Sequence, residues 1–126
     1  MNGVALAALV AVAAALGAPS RYALEWGVHR RWPTRTPFGT LLVNGSGSLA
    51  LGIVVGLAVA HGLDPDVRAV VGTGFLGAYT TFSAFTDQTY RLATTGHPRV
   101  ALAYAVGSVV VATTAAAIGL ALVGGL

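Results

Sequence analysis

Gly72-Thr73-Gly74-Phe75-Leu76-Gly77-Ala78-Tyr79-Thr80-Thr81-Phe82-Ser83-Ala84-Phe85-Thr86 is too apolar for a loop and too rich in glycine and hydroxyls for a plain helix facing lipid. Glycine costs roughly 1 kcal/mol per site relative to alanine in a helix, and adjacent threonines draw the backbone into bonds with their own hydroxyls. The stretch reads as a helix broken near Gly77 to Thr80. Inside a membrane, unpaired backbone is tolerable only where protein buries it or where it faces water or an ion. The break therefore points to a buried functional element; a simple structural kink is the plainer use of the same glycines.

The rest of the chain supports the membrane setting. Of 126 residues, 56% are hydrophobic and 9% charged, against about a quarter charged in an average soluble domain. So few charges cannot wet a globular surface, and a chain of this length cannot hide so large an apolar load in its own core. The seven basic residues are all arginine, and the acids are Glu25, Asp64, Asp66 and Asp87. The arginines sit at the ends of apolar segments with no basic run among aromatics, which argues against nucleic acid as a partner. With no cysteine, disulfides and thiolate chemistry are excluded.

Crossing the hydrocarbon takes about 20 mostly apolar residues, and four such stretches fill the chain as one domain, residues 1–126. They run at about 4–24, 38–60, 67–92 and 98–124, forming two antiparallel hairpins. The first is read as a retained helix and not a cleaved leader, because no basic residue precedes it and Arg21 and Tyr22 follow at once. Trp26 and Trp32 lie beyond it, where amphipathic rings favour the interface. Asp64-Pro65-Asp66 is a turn able to cap the third span, and Pro98 suits the first turn of the fourth. In the second span Asn44, Ser48, Gly52, Gly56 and Ala60 recur every four residues. That small-residue face permits close helix contact, either within the chain or between subunits.

Three segments resemble the fluoride-channel family called Fluc, or CrcB-like: Gly17-Ala18-Pro19-Ser20-Arg21-Tyr22, Gly39-Thr40-Leu41-Leu42-Val43-Asn44, and Gly77-Ala78-Tyr79-Thr80-Thr81-Phe82-Ser83-Ala84-Phe85. The third is the most specific, and the resemblance covers essentially the whole chain. It implies a passive, selective channel exporting fluoride across the bacterial cytoplasmic membrane. It also implies an all-α, dual-topology antiparallel homodimer with two pores, each lined by both subunits. A structural sodium ion (Na+) at the dimer centre is implied too, held by the backbone carbonyls of Gly77 and Thr80. On the fluoride path the resemblance places Asn44, Phe82, Phe85, Ser108, Tyr104, Thr40 and Thr81, with Arg21 in the vestibule.

The chemistry of those side chains suits the task. Fluoride is small and strongly hydrated, so a pore must replace its water without trapping it. The Asn44 amide has two N–H donors, and Thr40, Tyr104 and Ser108 have hydroxyls. Tyr104 and Ser108 share a helix face, and Phe82 and Phe85 can turn their electropositive rims to an anion. Each also has a plainer use: Asn44 as interhelical glue, Ser108 bonded to its own backbone, the rings as core, Arg21 merely reaching the interface. One turn after Ser108 stands Ala112, where family members often carry a hydroxyl; Thr113 and Thr114 are the nearest substitutes.

Charge placement strains against the dimer. Arg30, Arg31, Arg35, Arg91 and Arg99 fall on one side and Arg68 near the other, so the positive-inside rule favours one orientation, with both termini outside. The competing reading is a small four-helix proton-coupled multidrug or cation exporter, which needs a titratable carboxylate inside the membrane. Here Glu25 and Asp87 sit near span ends, with Asp87 the better candidate. A purely structural membrane subunit is a third reading. An enzyme is excluded in expectation, because His29, His61 and His97 lie in connections without nucleophile, base or metal partners at motif spacing.

Overall fold

The computed structural model describes residues 1–34 and 36–124, so Arg35 and its part in the charge count lie outside it. All regular structure among the described residues is helical. Helix α1 (Gly3–Arg31) starts where the Asn2 side chain accepts the Ala5 N–H at 2.8 Å. Helix α2 (Phe38–His61) ends at Gly62, whose φ of 65° is a left-handed cap that glycine adopts at no steric cost. Asp64 caps α3 (Pro65–Arg68) by accepting from the backbone of Asp66 and Val67, as its spacing predicted. The third span continues as a π-helix (Ala69–Leu76) and a single turn, α4 (Gly77–Tyr79). After a gap come α5 (Ser83–Thr94) and α6 (Pro98–Gly124).

Three of these helices, α1, α2 and α6, are long and apolar enough to cross a membrane unaided. The third span crosses in two pieces, and its discontinuity lies at Thr80–Phe82, toward the end of the expected interval. Gly77 itself is helical. Thr80 turns extended (φ −78°, ψ 161°), while its hydroxyl and N–H both still bond the Leu76 carbonyl. The Thr81 N–H leaves the helical ladder for Asn44 Oδ1 at 2.8 Å, and Thr81 Oγ1 caps α5 by accepting from Ala84 N at 3.2 Å. Threonine hydroxyls and one asparagine thus take up the backbone groups that the break releases.

Glycine sets how closely the spans approach. A Cβ on Gly52 would strike the Ala116 carbonyl, one on Gly119 the Leu49 carbonyl, and one on Gly56 the Val123 side chain. The small-residue face of α2 is therefore used, from Gly52 onward, for packing on α6 within the chain. Against the third span, a Cβ on Gly17 would strike the Phe75 carbonyl, and one on Gly74 would come within 2.8 Å of the Val10 carbonyl. At one end of the bundle the Met1 ammonium meets Asp66 at 2.9 Å and His61 meets the Val123 carbonyl at 2.9 Å. Both chain ends and the α2–α3 turn thus share one side.

Replacing Gly52 with leucine should force α2 off α6 and lower stability in detergent by about 1–3 kcal/mol, the usual penalty of overpacking. Gly27→Ala, with open space around its Cβ, should be neutral or stabilising by up to about 1 kcal/mol. Thermal unfolding of both variants checks the contrast; equal melting temperatures would deny the contact.

Candidate functional site

A groove of about 330 Å³ opens on the flank of the bundle beside the break. Asn44, Ser48, Thr80, Thr81, Phe82, Phe85, Ser108 and Ala112 line it. The second span brings Asn44 there, the break brings Thr81 and Phe82, and the fourth span brings Ser108. Residues from three spans that the sequence singled out separately therefore meet on one surface.

Asn44 does two things at once. Its Oδ1 accepts from Thr81 N and its Nδ2 donates to the Thr81 carbonyl, both at 2.8 Å. Of its two amide N–H groups, one is committed to the backbone and one is left for a ligand. The same exchange frees the Gly77 carbonyl from Thr81 N, its ordinary helical partner four residues on. The Thr80 carbonyl loses Ala84 N in the same way, to Thr81 Oγ1. Arg21 Nη1 approaches the Thr80 carbonyl at 3.5 Å. Among the described residues there is no group of three or more His, Asp or Glu able to hold a metal, so a cation here would depend on such backbone oxygens.

The rings form a ladder. Phe82 and Phe85 lie 5.7 Å apart between centroids, and Phe85 and Tyr104 another 5.7 Å, both pairs tilted. Their interplanar angles of 42° and 38° lie between stacked and edge-to-face. Phe82 is 77% exposed, far more than a core aromatic, whereas Phe85 packs against the buried cluster of Leu92, Ala101 and Tyr104. Ser108 Oγ is buried and lacks a hydrogen-bond partner; a buried hydroxyl left unpaired is costly unless a ligand or water meets it. Past Ser108 the track turns apolar: Ala112 lines the groove, while Thr113 and Thr114 are exposed elsewhere.

Thr40 lies apart from this groove. It is 1% exposed and borders a second cavity of about 310 Å³, with Glu25, His29, Trp32 and Gln88. Its hydroxyl donates to Glu25 Oε1 and accepts from Gln88 Nε2, and Gln88 Oε1 accepts from the Tyr104 hydroxyl, each at 2.9 Å. Gln88 and the Glu25–Thr40 bond were not anticipated. A neutral amide one turn from Phe85 on the third span was the available signal for Gln88. Asp87, by contrast, is exposed and paired with Arg91 at 2.8 Å.

Residues 8–120 match the family described as CrcB-like protein, Camphor Resistance (CrcB). The chain is 46% identical over 117 residues to "Fluoride-specific ion channel FluC 1" of Leifsonia xyli subsp. xyli, covering 93% of this chain and 85% of that one. It is 45% identical over 116 residues to "Fluoride-specific ion channel FluC 2" of Nitrobacter hamburgensis, covering 91% and 94%. With the four helical spans, the Thr-Thr-Phe-Ser break and these matches together, the chain is a multi-pass membrane protein and belongs to the CrcB-like family.

Proposed function

We propose that this chain conducts fluoride passively and selectively out across the bacterial cytoplasmic membrane, as one half of an antiparallel homodimer with two pores. The observation that carries the reading is the flank groove, where uncharged donors and aromatic rings meet on a bundle that exposes many large apolar side chains. Such groups are not stable against acyl tails. A second copy laid over the groove buries them and closes a path. The relatives' names point to the same ion and to ion channels, not enzymes.

Along that path the remaining Asn44 N–H and the unpaired Ser108 hydroxyl replace water around the anion, and the rims of Phe82 and Phe85 add weak positive charge without a deep well. Neutral groups let the ion leave as readily as it enters. Thr81 contributes through its backbone, which Asn44 holds. Arg21 raises the local anion concentration at the mouth. The carbonyls of Gly77 and Thr80, relieved of their helical donors, are suited to hold a sodium ion, a hard cation that takes neutral oxygens. Bound there, sodium would supply fixed positive charge and join the two breaks at the dimer centre. Against the proton-coupled exporter, Asp87, the better of its two candidate acids, is exposed and paired with Arg91.

Three outcomes test this. In proteoliposomes fluoride should leave fast and electrogenically, chloride should not, and Phe82→Ala or Asn44→Ala should slow fluoride at least about tenfold, as losing a hydrogen bond to an ion implies. Equal fluoride and chloride rates would refute the selectivity. The melting temperature should be higher in sodium than in N-methylglucamine, since a bound ion stabilises only the folded state; identical values would remove the sodium site. Because the chain has no cysteine, a single His97→Cys should react with a membrane-impermeant thiol reagent from both sides of inverted and right-side-out vesicles. Labelling from one side alone would eliminate the opposed pair.

A further inference from the structure

Glu25, Thr40, Gln88 and Tyr104 make one unbroken row of hydrogen bonds across α1, α2, α5 and α6. Counting protons sets its direction. An ionised carboxylate only accepts, and a hydroxyl has one proton to give. Thr40 gives its proton to Glu25, so Gln88 must offer Thr40 an N–H and turn its oxygen to Tyr104. Tyr104 then spends its own proton on Gln88. Every donor in the row points towards Glu25 and away from the groove. Ser108, one turn from Tyr104 on the same face of α6, is left buried with its oxygen unpaired.

One proton added to Glu25 allows the row to run the other way. Protonated Glu25 donates to Thr40, Thr40 donates to the Gln88 oxygen once that amide turns over, and the Gln88 N–H donates to the Tyr104 oxygen. The Tyr104 proton is then free for Ser108 or for an anion beside it. We propose that Glu25 is a positioning residue that sets, through Thr40 and Gln88, whether Tyr104 offers a hydrogen bond to the transported anion. Conduction then rises as Glu25 is protonated. The inference rests on the fluoride reading above.

Among the described residues, few other charges bear on Glu25. On α1, Arg21 and His29 lie one turn to either side, and His29 shares the cavity. Residues Gly39 and Thr40 of α2, Gln88 of α5, Tyr104 of α6 and Trp32, Thr34 and Thr36 of the connection carry no charge. Asp87 and Arg91 pair with each other on the exposed side of α5.

The test is fluoride current in planar bilayers, which neutral hydrogen fluoride does not carry, recorded over a descending pH series from neutral. Wild type should gain roughly tenfold, the factor carried by one hydrogen bond to a charged acceptor. Glu25→Gln should lose the pH dependence. Gln88→Met should lose it too, because the row is cut while Glu25 still titrates; if that variant fails to assemble, Thr40→Val cuts the next link and gives the same readout. A wild-type slope retained in Glu25→Gln would assign the titration to another group, such as His29. A slope retained in Gln88→Met and Thr40→Val would mean that Glu25 acts by charge alone; either result overturns the proposal. Current without pH dependence in wild type overturns it and leaves the channel standing, whereas no fluoride current at any pH overturns both.

Discussion

A single side-chain amide holds the centre of this protein together. Asn44 trades two hydrogen bonds with the peptide of Thr81, filling the place that a neighbouring strand or the helix itself would take. Without it the third span could not stop at Thr80 and restart at Ser83 inside lipid, because the freed N–H and carbonyl would have no partner. The exchange also fixes the register of α2 against the break. Gly47 supports that seat, since a Cβ there would strike the Thr80 side chain.

From that pairing the rest of the site follows in order. With Thr81 held, its hydroxyl is free to cap α5, and α5 then projects Phe85 and Gln88 towards α6. Phe82, at the corner, is left outside the bundle. The same event that opens the groove takes the helical donors from the carbonyls of Gly77 and Thr80, the latter approached by Arg21. The proposed anion path and the proposed cation seat are therefore two sides of one interruption in a helix, and a change that repaired the helix would abolish both.

Much of this was legible in the amino-acid order, and the part that was not has a physical reason. The four spans, the Asp64 cap and the glycine-bearing face of α2 are written in local composition and periodicity, so they could be read directly. The break was legible as glycine and threonine excess over Gly77 to Thr80, but its position is set by Asn44, a residue 37 positions away, and so it falls at Thr80–Phe82. The π-wound turns of Ala69–Leu76 have no periodic signature of their own; Gly74 serves their close approach to Val10 of α1. The row from Glu25 to Tyr104 joins four helices, and nothing in the spacing of those residues announces that they touch.

The meeting of both chain ends on one side, tied by Met1 to Asp66 and by His61 to Val123, constrains how such a protein could be duplicated. An even number of crossings returns the polypeptide to its starting compartment. Two copies joined in tandem by a short tether would insert facing the same way and could not clasp each other head to foot. A single-gene version of an inverted pair would need one additional crossing segment between its halves, or a means of inserting the second half upside down.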